Sequence, residues 1–256
     1  MNSRAKLVMV AALAMVGAGA VLRPIGGEAR PAPLRRAGHA PASVGSGVSL
    51  AALGGFRALV ADMLWLKAYA AWLTRDPAST QTLIQLVTTI DDRPLCFWLN
   101  GARIMAYDVA AWRLESARGD AGAPAEVRRR IVEEQAQAAL DYLEEGRRHH
   151  PESAALCVEM ANLHLNCRAD IAAAAAWYRV AAESPDAPYF AARIHAALLV
   201  RLGRSREAHA WLCRLHPTLP SGDERAMAPL VLGRIRDLER ALQIPENERY
   251  VFPDGR

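Results

Sequence analysis

His164 and Cys167 lie three residues apart, the interval that puts two side chains on one side of a helix, and His195 follows 31 residues later. Imidazole and thiolate are zinc-type ligands, and an open site of that kind activates water for hydrolysis. No carboxylate at a matching interval completes the set, so the trio reads as packing groups, and a metal-dependent or other motif-free extracytoplasmic enzyme stands as an alternative. Asp91 and Asp92 could share acid-base work, but they read as an acidic turn before Pro94. Cys96, Cys157, Cys167 and Cys213 are spaced by 61, 10 and 46 residues with no C-x-x-C. They read as buried thiols, of which an oxidising compartment could pair two that the spacing does not specify. His149-His150 follows Arg147-Arg148 at a helix end, where cations favour the negative end of the dipole and a solvated end is expected. Arg128 to Arg130 precede Glu133-Glu134 as on an exposed, self-compensated helix face. P-loop, G-x-S-x-G, H-E-x-x-H and dinucleotide fingerprints are missing from the sequence. No catalytic residue, cofactor or metal ligand is assigned.

The elements that position these residues are helical. Hydrophobic residues make up 52% of the 256, yet aromatics only 6%, so Ala, Leu and Val carry the apolar content as in an all-α protein. Charge is uneven. Residues 1–47 hold six basic side chains against the single acid Glu28, which leaves 25 positive and 26 negative residues for the remainder. A body of net charge −1 is a poor phosphate binder, so a helical-repeat RNA binder is the weaker alternative and nucleic acid is not an expected partner.

Arg4 and Lys6 precede sixteen uncharged residues, Leu7 to Leu22. Residues 1–22 therefore read as a signal peptide or membrane anchor, with the body outside the cytoplasm, or secreted if Ala18-Gly-Ala20 is cleaved. Residues 23–47, rich in Pro and Gly, read as a disordered linker. The apolar stretch from Val48 to Leu73 is interrupted by Arg57, Asp62 and Lys67, which predicts an amphipathic helix packed on its neighbours rather than a membrane span.

Within 48–243 the sequence repeats. Pro151, Pro185 and Pro220 are 34 and 35 residues apart; twelve positions before each stands a small residue (Ala139, Ala173, Ala208) and eight before each a bulky one (Leu143, Trp177, Leu212). A small residue lets two helices approach, a bulky one fills the space beside it, and Pro ends the second helix. The spacing resembles the tetratricopeptide repeat, a 34-residue helix-turn-helix unit. Residues 154–187 (Cys157, Met160, Ala161, His164, Ala173, Trp177, Pro185) and 189–222 (His195, Ala196, Leu199, Gly203, Ala208, Leu212, Pro220) fit it best, with His164 where that family places an aromatic. Trp98, Ala102 and Met105 give a frayed upstream unit with an insertion near 113–135; helices over 50–73 and 78–91 form a divergent first unit. Ser221 to Glu224 has the form of a capping box, Leu230 to Leu242 predicts a last helix kinked at Pro229, and 244–256 reads as a tail.

The resemblance implies a right-handed α-solenoid whose first helices line a concave groove. It would place Ala155, Val158, Asn162, Leu165 and Asn166 in that groove, then Phe190, Arg193, Ala197, Val200 and Arg201. Asn162 stands where the family uses an Asn to hold a peptide backbone, Arg193 and Arg201 would bind carboxylates, and Arg103 and Tyr107 occupy comparable places upstream. Gly54-Gly-Phe-Arg57, Ala61-Asp62, Leu64-Trp-Leu66 and the Asp91–Pro94 turn are also similar to envelope-associated bacterial proteins containing such repeats. The expectation is a membrane-tethered interaction scaffold that docks a protein or peptide partner and uses no cofactor.

Overall fold

The computed structural model describes residues 44–118, 122–220 and 222–252. The leader, most of the linker and Ser221 of the capping box lie outside the described residues. By contact the chain divides between Gly45 and Ser46, and the helical core belongs to the second unit, Ser46–Arg256. Among the described residues every regular element is helical. They are α1 (Val44–Leu73), α2 (Pro77–Ile90), α3 (Leu95–Arg103, continued by a π-helical segment Ile104–Val109 and by Ala110–Ser116), α4 (Ala125–His149), α5 (Ala154–Asn166), α6 (Ile171–Glu183), α7 (Tyr189–Arg201), α8 (Ser205–Leu215) and α9 (Ala228–Ala241). From α5 onward each helix packs chiefly on its neighbours in sequence. Among the described residues no helix is long and apolar enough to cross a membrane.

Local chemistry sets the ends. The Asp76 carboxylate caps α2 by accepting from the Ser79 amide at 3.1 Å, and Asp170 caps α6 through the Ala173 amide at 2.9 Å. Pro151 and Pro185 stand two residues beyond the ends of α4 and α6, as the repeat requires. Pro229, expected to kink the last helix, opens α9 instead, where its missing N–H has no partner to lose. The predicted tail is not free: Tyr250 donates its backbone N–H to buried Glu239 at 2.6 Å, and His216 meets the Tyr250 hydroxyl at 3.1 Å.

The core runs along the chain as a series of clusters. The first gathers Ala68, Ile84, Trp98, Ala102, Met105, Leu143, Leu156 and Met160, which buries the upstream unit's Trp98, Ala102 and Met105 together. The indole N–H of Trp98 donates to the Asp92 carbonyl at 2.8 Å, and a Cβ on Gly146 would stand 2.9 Å from its ring. The next two clusters centre on Ala161, Ala174 and Tyr178, and on Ala196, Ala208, Leu212 and Ile235. The register predicted for α6 is off by one. Ala174 and Tyr178 are the buried pair there, as Ala139 and Leu143 are in α4 and Ala208 and Leu212 in α8, whereas Trp177 is half-buried under the Arg147 guanidinium at 4.8 Å. Counting back from Pro185 misplaces the pair although Pro185, like Pro151, stands two residues beyond its helix: the buried columns of α6 lie one residue nearer the helix end than those of α4.

The helix pairs α5–α6 and α7–α8 turn through a left-handed residue at equivalent places, Ala169 with φ 53° and Gly203 with φ 75°. A Cβ in that region costs about 1–2 kcal/mol, partly offset by the entropy that glycine loses on folding. Ala169→Gly should therefore raise the unfolding free energy by about 0.5–1 kcal/mol and Gly203→Ala lower it by about 1 kcal/mol, read from urea midpoints; equal midpoints for both would refute the equivalence.

Candidate functional site

Four of the six sequence-predicted site residues come together where α3, α5 and α6 meet. The π-helical segment of α3 carries Tyr107, one turn beyond Arg103. Arg103 donates from Nε and Nη2 to Glu159 Oε2 on α5, at 2.9 and 2.6 Å, and the Glu159 side chain is only 3% exposed. Asn166 donates a long 3.5 Å bond to the Tyr107 hydroxyl. The Tyr178 hydroxyl donates to Asn162 Oδ1 at 2.6 Å, so the Asn162 amide keeps its N–H groups for another acceptor. Burial pushes the Tyr107 and Tyr178 hydroxyls and the Cys167 thiol upward, and the Glu159 carboxylate adds to each shift. All three stay protonated at neutral pH. The cluster offers hydrogen bonds and holds its one carboxylate in an ion pair, with neither an activated nucleophile nor a free base.

Arg193 lies on the next first helix, but its Nη1 donates to the carbonyls of Ala226 at 3.0 Å and Arg225 at 3.4 Å, so it fastens the turn before α9 as well as facing solvent. It borders a cleft of about 440 Å³ between α7 and α9, lined by Ala197, Val200, Leu230 and Arg234 among others. Ala197 and Val200 were expected there. Arg201 is exposed and joins neither the cleft lining nor the cluster.

The repeat register does not point to Glu159 and Tyr178, which organise the cluster, or to Leu230 and Arg234, which complete the cleft. A signal for the last pair exists: Ala161, Ala196 and Val231 are 35 residues apart and all buried, which puts α9 in the same register as α5 and α7. The signal for Glu159 is weaker, an acid among apolar neighbours with a complementary Arg far upstream.

Most other chemistry-bearing residues are satisfied elsewhere; His164 is the exception, its buried Nδ1 having no hydrogen-bond partner among the described residues and standing 4.0 Å from Asp170 Oδ2. His195 Nδ1–H donates to the Ala175 carbonyl at 2.8 Å and the ring stands edge-on to Trp211. Among the described residues no three His, Cys, Asp or Glu side chains are arranged to hold a metal ion. All four cysteines are free. Cys213 Sγ is 3.5 Å from His209 Nε2, and Glu239 Oε1 is 3.7 Å from that same nitrogen. A catalytic relay needs the carboxylate on the opposite ring nitrogen, and burial raises the Cys213 thiol, so these three make no nucleophile. Asp91, buried, is gripped by Arg93 at 2.7 and 2.8 Å, which holds its carboxyl below the usual range. Of the histidine pair at the end of α4, expected to be solvated, His149 is exposed, with Nδ1 3.0 Å from the Asp92 carboxylate, whereas half-buried His150 donates Nε2–H to the Asp92 carbonyl at 2.9 Å. The 880 Å³ cleft between α6 and α8 is rimmed by charges that compensate each other, Arg179 with Glu183 and Arg204 with Glu207. No model of a known protein family and no curated protein matches the sequence.

Two measurements probe this chemistry. Arg103→Ala strands a buried carboxylate and should cost about 3 kcal/mol of stability, most of it recovered when Glu159→Gln is added; a cost unchanged in the double variant would break the pairing argument. His164, His195 and His216 are all pushed below the ordinary 6.5 by burial. Their neutral forms are favoured by folding, so stability should be full above pH 6.5 and decline as the pH falls below it. His195→Gln should flatten that decline in urea titrations at about pH 7, 6 and 5, and an identical slope would refute it.

Proposed function

We propose that the chain is a membrane-tethered, extracytoplasmic α-solenoid of tetratricopeptide-like hairpins that docks a partner's segment along its first helices. The repeated hairpins, the 35-residue spacing of Ala161, Ala196 and Val231, and the charge pattern of residues 1–22 support that reading. The observation that carries it is the α7–α9 cleft, where Val200 and Leu230 remain 42% and 45% exposed across an apolar floor. An extended segment would seat an apolar side chain there and offer its backbone to the Asn162 and Asn166 amides, with Arg201 available to a carboxylate. Docking is non-covalent and has no turnover. No observation favours the enzyme or RNA reading over this one.

A photoreactive amino acid at Leu230 of the full chain, in its native membrane, should cross-link one partner. Val200→Asp should abolish the cross-link without changing the helical circular dichroism. The same partner captured equally from Arg206, on α8, would place the interface elsewhere.

A further inference from the structure

Helix α1 has two apolar faces, and only one of them packs on other described residues. Ala61 and Ala68 are buried, and Leu64 and Trp65 pack against the body. On the opposite side Phe56, Leu59, Met63, Leu66 and Leu73 are each 47–67% exposed, with Ala70 also exposed. These six follow one another at intervals of 3, 4, 3, 4 and 3, the a and d positions of a heptad, with Leu at every d. The residues that hold α1 to the body occupy b, c and f. The flanking positions carry Val60 and Lys67 at e and Asp62 and Tyr69 at g, so two charges border the stripe, with Val60 and Tyr69 39% and 54% exposed beside them. α1 makes its ion pairs through Arg57, and Asp62 and Lys67 have none among the described residues.

We propose that this face is a self-association seam, and that a second copy of the chain pairs with it as a parallel two-stranded coiled coil. Charge complementarity selects the occupant and its direction. In a parallel pair each g residue faces the e residue five positions later on the other helix, and Asp62 is five residues before Lys67. Two opposite-charge pairs form, related by the two-fold axis. In an antiparallel pair g faces g and e faces e, which sets Asp62 against its own copy. A lipid surface is the poorer occupant, because an interfacial helix gains from a basic polar face and here one acid and one base border the stripe. The seam from Phe56 to Leu73 spans about 26 Å, short for isolated helices. It is preformed by packing on the body, so pairing orders little that is not already ordered. The seam shares no residue with the α7–α9 cleft and does not depend on the docking reading.

The test uses the full chain reconstituted in phosphatidylcholine vesicles in a Cys96→Ser background that keeps buried Cys157 and half-buried Cys167 and Cys213, with one cysteine at a time added as Leu59→Cys, Leu66→Cys or Leu73→Cys and oxidised. Each should cross-link into a covalent dimer at least tenfold more than Thr82→Cys, an exposed control on α2. Leu66→Glu should reduce cross-linking at Leu59→Cys at least tenfold. Asp62→Lys or Lys67→Asp alone should reduce it several-fold, and the two together should restore it. Cross-linking no greater than the Thr82→Cys control overturns the seam; protection of Leu66→Cys from a soluble maleimide in that case would assign the face to lipid. Single reversals that weaken pairing without recovery in the double variant overturn the parallel arrangement.

Discussion

Close approach of helices at alanine is the constraint on which the rest of the structure depends. With few aromatics, the chain cannot fill wide gaps between helices, and it narrows them instead. Ala102, Ala139, Ala161, Ala174, Ala196 and Ala208 are all buried at helix crossings, accompanied by larger neighbours such as Leu143, Tyr178 and Leu212. A small residue brings the axes together, and the larger side chain one turn away fixes how they cross. Because each helix turns its apolar stripe toward adjacent helices, the outward faces of the first helices stay polar or half-apolar. The surfaces that can bind are therefore by-products of how the core closes.

Glu159 shows what such close packing forces. It sits on the buried side of α5 among apolar residues, and its charge is tolerable only because Arg103 reaches across from α3 with two hydrogen bonds. The π-helical segment begins at the residue after Arg103. An inserted residue shifts everything downstream around the helix axis, so Met105, Ala106 and Val109 face the core while Tyr107 turns toward Asn166. Backbone irregularity and buried charge thus belong to one local arrangement, and its polar atoms are satisfied without leaving a reactive group.

Helices were legible because their signals are local: the repeat spacing located α5 to α8, and the interrupting charges of 48–73 marked α1 as a packed helix. The columns within α6 were not: α4 and α6 both end two residues before their prolines, yet Ala174, not Ala173, does the packing, so the distance from proline to the buried face is not constant. Position alone suggests that His150 is solvated and Arg193 partner-facing. Their actual partners, the Asp92 carbonyl and the backbone carbonyls of Arg225 and Ala226, come from distant segments that no local pattern connects. Four site residues converged because they lie on first-helix faces, a property the period does encode. Arg201 did not: its neighbour Val200, in the same last turn, lines the cleft, while Arg201 is exposed one position further around the helix.

A chain of successively packed helices has a first and a last helix, and each leaves an outer face with no neighbour in sequence to cover it. At the α9 end the chain covers itself: Tyr250 and Phe252 fold against His216, and the Tyr250 amide satisfies the buried carboxylate of Glu239. At the α1 end the outer face keeps a regular apolar stripe in water. Scattered exposed leucines are ordinary on protein surfaces, but the large apolar side chains of Phe56, Leu59, Met63, Leu66 and Leu73, in heptad register on one helix, are not scattered. Closing one end with the chain's own residues and leaving the other patterned for a helix is an asymmetry that packing within one copy does not require.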